Sequence, residues 1–283
     1  MTLSLKRIIS DINSLKKTPL DKEGIYWNVD ENNIYNVYAI IIGPKDTPYE
    51  GGFFFFKFIF PESYPLEPPK AEFHTLYDKI RFNPNLYTNG YVCLSILNTW
   101  HGPSWTPCNT LSSILMSLLG LVFVEHPLVN EPGHEYDSHH MLDSYDAIIE
   151  YETYRIACLY MLNNVPAGFE IFKEKIEDYF VKNYDSYLER AKNLKCKRNN
   201  KKYVSCYGLS VKCDYDKIID MLEIKYKKIN NISDTLPKMY KISYKELQDL
   251  CVKYSINLQK IDVDGKKKYK KKLELYNEIK NVI

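Results

Sequence analysis

Apolar positions at three- and four-residue spacing open the chain: Leu5, Ile8, Ile9, Ile12 and Leu15, separated by lysines, Arg7 and Asp11. That spacing lines one face of an amphipathic α-helix. Thr18-Pro19 ends it, because the residue before a proline is pushed out of the helical region. The pattern then changes to short apolar runs: Val37 to Ile42, Gly52 to Phe60 and Lys70 to His74 read as strands. Gly43-Pro44, Gly51-Gly52 and the run from Pro61 to Pro69 punctuate them, which predicts an antiparallel meander followed by a proline-rich corner. From Leu76 to Pro107 the periodicity is lost while Pro and Gly recur. Irregular stretches of that length are uncommon inside compact domains and are often functional. Helical spacing returns at Leu111, Ile114, Leu115, Leu118, Leu119 and Val122, with Thr110 placed as the N-cap. Beyond the loop from Pro127 to Gly133, further helices are predicted around 144–162 and 168–190. Helix, sheet, long loop and helices in that order make an α+β domain.

The distal third is more polar. Lys195 to Lys202 is a basic stretch that suits a boundary or an exposed loop, and Tyr215 to Ile229 is helical in pattern. Asn230 to Lys238 has linker composition, and two more helices are predicted near 243–254 and 267–281. At 283 residues the chain has room for one large domain or two smaller ones, and 45% hydrophobic residues are enough for a buried core. A net charge of +2 argues against a chain that as a whole seeks nucleic acid or membrane. No apolar run approaches the roughly 20 residues that span a bilayer. The aromatic run Phe53 to Phe60, interrupted by Lys57, suits a buried strand.

No targeting segment is evident at the N-terminus, so the cytosol is expected, with the nucleus also open. Seven irregularly spaced cysteines give no disulfide framework and fit a reducing compartment, where one thiol is available for catalysis. His126, His134, His139 and His140, like Cys196, Cys206 and Cys213, lack the paired spacing of a metal site. Neither a metal nor another cofactor is expected.

The chemistry concentrates in the aperiodic stretch, where Arg81 to Pro107 is RFNPNLYTNGYVCLSILNTWHGPSWTP. Asn83-Pro84-Asn85, Gly90, Cys93-Leu94 and Trp105-Thr106-Pro107 follow one another there, with Cys93 eight residues after Asn85. This segment resembles the ubiquitin-conjugating enzyme family, which places its cysteine eight residues after the Asn of a His-Pro-Asn tripeptide. Tyr49-Glu50-Gly51-Gly52, Phe60-Pro61 through Tyr64-Pro65, and Pro68-Pro69-Lys70 are similar to the family's strands and intervening corner. The likeness covers about residues 1–160. Asn83 stands where most of the family has His. In this the segment is most similar to the subgroup of Z-type and giant inhibitor-of-apoptosis conjugating enzymes, which read Asn-Pro-Asn, carry CLSIL after the glycine and enlarge the loop before Trp-x-Pro. The turn Asn130-Glu131-Pro132-Gly133 resembles that subgroup too.

The resemblance implies a UBC-like α+β fold: an N-terminal helix on a four-stranded antiparallel meander, then helices, with an extra helical C-terminal extension. It implies a catalytic domain over 1–165, a helical extension over 166–232 and a small basic helical tail over 233–283. The implied activity is that of an acyl transferase. It takes ubiquitin, or a ubiquitin-like modifier, from an activating enzyme as a thioester on Cys93 and passes it to substrate lysines, usually with a ligase. The residue chemistry agrees, since a thiolate is both a nucleophile and a fair leaving group. Read without the motif, Cys93 is an ordinary buried thiol. Asn85 is implied to donate to the oxyanion that forms when an amine attacks, or to hold the neighbouring loop; as a bare tripeptide, Asn-Pro-Asn is also turn chemistry. Counting back from Pro132 puts Glu131 at the family's acidic gate beside the cysteine, where a carboxylate orients the incoming amine and accepts its proton. An ordinary loop carboxylate is the alternative.

The resemblance also implies the partner surfaces. Lys6 and Arg7 on the first helix would meet the activating enzyme. Leu66 and the loop Trp105, Pro107, Cys108 would meet the ligase, unless Leu66 packs in the core. A non-catalytic ubiquitin-binding relative is disfavoured because Cys93 and Asn85 are both present. In the tail, SYKELQDLCVKYSIN and DGKKKYKKKLELYNEI faintly resemble a SAP-type helix-extended-helix module. Six lysines between Lys266 and Lys272 are the one feature that suits nucleic acid. They equally suit a solvated helix start or acceptors for the protein's own ubiquitin.

Overall fold

The computed structural model describes residues 2–134, 139–230, 243–253, 256–261, 267–272, 274, 275 and 278. By packing, the chain divides into two compact units, Met1–Glu223 and Ile224–Ile283.

The first unit opens with α1 (Leu3–Lys17), whose face of Ile8, Ile12 and Leu15 is buried and whose N-cap is the Thr2 side chain. Strands β1 (Ile25–Val29), β2 (Asn36–Ile42), β3 (Phe53–Ile59) and β4 (Lys70–Phe73) follow as an antiparallel meander in the order β1-β2-β3-β4. The pattern of apolar positions identified β2 to β4 but not β1. IYWNV has strand-forming residues but no apolar–polar alternation, and only Ile25 is buried. Helix α2 (Leu111–Leu121) begins at Thr110, which forms a capping box with Ser113.

Both faces of the sheet are covered. On one, Phe54 packs on Phe82 and Phe123 at 5.5 and 4.8 Å between ring centroids. On the other, Phe169 meets Tyr38 and Phe55 at 4.9 and 5.2 Å, and Tyr179 meets Phe53. This explains why β3 is apolar almost without alternation, as strands buried on both sides are.

The elements that cover the second face lie beyond the sheet in sequence. Helix α3 (His139–Glu152) runs through a π-helical segment, Thr153–Tyr160, into the short α4 (Met161–Asn163). Then come α5 (Lys173–Lys182), α6 (Tyr184–Arg198), a hairpin of β5 (Lys202–Val204) with β6 (Ser210–Lys212), and α7 (Tyr215–Ile229). The hairpin was not apparent from the polar, basic stretch, because three-residue strands are too short to show a period.

Tyr187 anchors α6. Its ring lies against Gly51, where an added Cβ would approach it to 2.7 Å, and its hydroxyl donates to the Gly51 carbonyl. Gly51 has φ +75°, a conformation that side-chain-bearing residues rarely adopt.

The second unit contains α8 (Tyr244–Lys253) and a hairpin of β7 (Gln259–Ile261) with β8 (Lys267–Tyr269). Leu247, Cys251 and Leu275 form its buried centre. Lys267–Tyr269 is therefore strand where helix was expected from 267 onward. Paired main-chain groups decide the conformation of that lysine-rich segment. The expected linker 230–238 lies, apart from Asn230, outside the described residues.

Candidate active site

The aperiodic stretch is held by its own side chains. The Asn83 amide, fully buried, donates to the Tyr49 hydroxyl at 3.0 Å and the Val122 carbonyl at 2.8 Å. Its oxygen accepts from the Asn85 amide N–H at 2.8 Å and from the Asn130 side chain at 3.4 Å. Asn83 thus ties the loop to the turn that follows α2 and to the segment carrying Glu131, a structural task a neutral amide can perform with both its ends.

Asn85 donates from Nδ2 to the Cys93 carbonyl at 2.7 Å, and its own carbonyl accepts from the Cys93 N–H at 2.9 Å. Asn85 Oδ1 is buried without a hydrogen-bond partner. In this resting arrangement the amide holds the cysteine loop. Its NH2 carries a second donor hydrogen beyond the one bonded to the Cys93 carbonyl. Gly90, at φ +87°, lets the chain close on itself: an added Cβ would come within 2.9 Å of the Phe73 carbonyl.

Cys93 is only 4% exposed, and its thiol donates to the Thr99 carbonyl at 2.8 Å. Thr99 also fixes the backbone on either side: its hydroxyl accepts from the Leu94 N–H at 2.8 Å and lies 3.0 Å from the Val92 and Leu94 carbonyls. Burial pushes the Cys93 thiol above its ordinary pKa, while the Arg81 guanidinium pulls it back. At rest Cys93 is therefore a protected thiol.

Arg81 is itself confined, its guanidinium carbon 4.0 Å from the Tyr87 ring centroid and 4.1 Å from that of Tyr207. The Tyr207 hydroxyl in turn donates to Glu131. Cys93, Asn85 and Glu131 are thus joined through Asn83, Asn130, Arg81 and Tyr207. Arg81 lies inside the motif, where its charge is a signal that sequence reading can use. Thr99 and Tyr207 carry no such signal, and Tyr207 is 76 residues from its partner.

Lys6 is exposed and Leu66 is 69% exposed, so Leu66 is not a core residue. Pro107 and Cys108 are exposed on the same loop as Trp105, which is 7% exposed and donates from Nε1 to the Pro65 carbonyl at 2.7 Å. Arg7 reaches across to that loop, donating to the Pro107 and Asn109 carbonyls at 2.6 and 2.8 Å while it pairs with Asp11. The first helix and the Trp105 loop therefore form one continuous surface. His126 pairs with Asp146 at 2.7 Å, and burial pushes the Asp146 carboxyl up to about 6. Among the described residues no His, Cys, Asp and Glu side chains gather into a metal-holding group.

The family profile for ubiquitin-conjugating enzymes matches residues 7–151. The chain belongs to the ubiquitin-conjugating enzyme family. It is 42% identical over 183 residues to ubiquitin-conjugating enzyme E2 Z of Xenopus tropicalis, covering 64% of this chain and 58% of that protein. Human E2 Z is 42% identical over 191 residues, 67% of this chain and 53% of that one. The human dual E2 ubiquitin-conjugating enzyme/E3 ubiquitin-protein ligase BIRC6 is 37% identical over 177 residues, 59% of this chain and 4% of that protein. The chain spans about half the length of the E2 Z relatives it matches. These likenesses agree with the subgroup to which Asn-Pro-Asn and CLSIL pointed.

Proposed function

We propose that this chain accepts ubiquitin from an activating enzyme as a thioester on Cys93 and transfers it to lysine, usually with a ligase. The observation that carries the reading is Cys93 bracketed by Asn85 within the family's motif, its backbone bonded in both directions to that residue. In charging, Cys93 loses its proton, its sulfur bonds to the modifier's terminal carbonyl carbon, and the activating enzyme's cysteine leaves as thiolate. In discharge, a neutral lysine nitrogen bonds to the same carbon. The C–S bond then breaks, the electron pair returns to Cys93, and the amine's proton passes to the Glu131 carboxylate and on to solvent. Asn85, through the amide hydrogen that is not bonded to the Cys93 carbonyl, is the donor for the transient oxyanion.

The exposed Lys6, Leu66, Pro107 and Cys108, with Arg7 and Trp105 holding their loops together, suit a shared surface for the activating enzyme and the ligase. Residues 1–165 would carry the chemistry, 166–232 the helical extension and 233–283 the basic tail. None of the seven cysteines is in a disulfide, which suits the reducing cytosol or nucleus. No described helix is long and apolar enough to cross a membrane. Nucleic acid fits only the tail, and loss of binding with added salt is the behaviour to look for there.

The test is a charging assay with ubiquitin, ATP and a panel of activating enzymes on a non-reducing gel. A band one ubiquitin heavier, lost with reductant and absent in Cys93→Ala, is the expected outcome. A chain that none of the panel charges with ubiquitin or another ubiquitin-like modifier would sink the proposal.

A further inference from the structure

The hairpin of β5 and β6 ends in a turn whose geometry conflicts with its sequence. Leu209 N–H donates to the Cys206 carbonyl at 3.2 Å, and the two residues between them, Tyr207 and Gly208, have φ of 60° and 69°. Positive φ at both central positions is the mark of a type I′ turn, which favours Asn, Asp or Gly at the first of them. Here that position holds a bulky aromatic residue, for which the left-handed region is disfavoured. Local preference is thus overruled, and residues held against preference cluster where function over-determines them.

What Tyr207 reaches supplies the reason. Its hydroxyl donates to the Glu131 carboxylate, and its ring lies against the Arg81 guanidinium, which also meets Tyr87. The Arg81 carbonyl is fixed in turn by the buried Tyr145 hydroxyl at 2.7 Å. Arg81 stands two residues before the Asn83-Pro84-Asn85 turn, so one side chain from the extension links the acidic gate to the loop that carries the oxyanion donor. Glu131 itself follows the short 3-10 turn Pro127–Asn130 and precedes Pro132-Gly133. Partial burial and the neighbouring carboxylate keep the Tyr207 phenol protonated well above its ordinary range, so it acts as a donor throughout.

We propose that Tyr207 is a positioning residue of the conjugation reaction: it holds the Glu131 carboxylate in the orientation that receives an attacking lysine, so that the C-terminal extension completes the active site. This rests on Glu131 serving as the acidic gate, as read above. A group held within a narrow range of orientations avoids the loss of freedom that a mobile one suffers at each turnover.

The test uses the full chain, charged with the modifier that loads it, and follows discharge onto free lysine over a range of lysine concentrations. Wild type, Tyr207→Phe, Glu131→Ala and the double variant are compared. Tyr207→Phe keeps the ring on Arg81 and removes only the hydroxyl. It is expected to charge at the wild-type rate and unfold at the wild-type temperature. Its maximal discharge rate should fall about five- to twenty-fold, as loss of a hydrogen bond to a charged group does, with little change in the half-saturating lysine concentration. The double variant should be no slower than Glu131→Ala alone, because Tyr207 acts through that carboxylate; a merely structural tyrosine would lower both backgrounds equally. Wild-type discharge by Tyr207→Phe, additive losses, an inert Glu131→Ala, or a charged enzyme that reacts with thiols but never with lysine would each overturn the inference while leaving thioester formation intact. A wild-type chain that does not charge at all overturns the proposed function and this inference with it.

Discussion

The loop that carries Cys93 takes several of its side-chain hydrogen bonds from near neighbours, whereas the side-chain bonds that join the helical extension to the sheet region all span long stretches of chain. In the loop, Asn83 bonds two residues ahead, Cys93 six, Asn98 seven and Asn85 eight. In the extension, Tyr207 bonds across 76 residues, Tyr187 across 136 and Arg190 across 143. The short-range bonds keep their geometry wherever the residue types and spacing are kept, while Asn83 ties the loop to Tyr49 and Val122 from farther away. The extension has local bonds as well, such as that from Asn183 to the Tyr179 carbonyl, but its placement against the sheet region exists only through the long-range ones. Yet its long-range bonds end on motif residues of the catalytic region, Gly51 and Glu131 among them.

The largest effect that would sharpen this contrast lies in the loop. Asn85→Ala is expected to slow lysine discharge by on the order of 10²–10³ if the amide serves the oxyanion, while the thioester still forms. Single-turnover discharge beside a charging time course separates the two duties. If charging and melting temperature collapse together with discharge, Asn85 only holds the loop.

In the extension the expected effect is on stability. Gly51→Ala forces a Cβ to 2.7 Å from the Tyr187 ring at a backbone angle hostile to alanine. A loss of about 1–3 kcal/mol is expected in urea unfolding, from strain and displaced packing. An unchanged midpoint would mean that the α6 anchor does not stabilise the fold, and the comparison would fail on that side.

The smallest effect concerns the resting thiol. Because burial raises its pKa, less of Cys93 is thiolate at pH 7.5 than in an ordinary cysteine. Its alkylation by iodoacetamide, read by mass spectrometry, should therefore be several-fold slower than that of a free cysteine peptide. It should go on rising above pH 9, where the peptide, with a pKa near about 8.5, has levelled. Removing the Arg81 charge should displace that rise to still higher pH. Alkylation as fast as the peptide's would show that the burial and the Thr99 contact do not protect the thiol.

Residue types and spacing alone were enough for the N-terminal helix, three of the four sheet strands and the Thr110 cap, and the motif they spell out places Asn85 beside Cys93, where the two are bonded. Each rests on interactions between residues close in the chain or on a repeat that the chain displays directly. The subgroup followed from the same stretch, since Asn83 differs from the family's usual His, although three of the four partners of its side chain are 34 to 47 residues away and only the fold shows them. Other features required the folded chain. The unbroken apolar character of β3 marks a buried strand, but only the packing of Phe169 and Tyr179 shows what covers its second face. The hairpin of β5 and β6 is too short to display a period, and the lysine-rich segment at 267–269 takes its strand conformation from pairing with Gln259–Ile261. Above all, nothing in Cys206-Tyr207-Gly208 announces a partner at Glu131. Sequence spacing constrains geometry over one turn or one loop, whereas bringing a tyrosine to a carboxylate 76 residues away depends on every packed element between them.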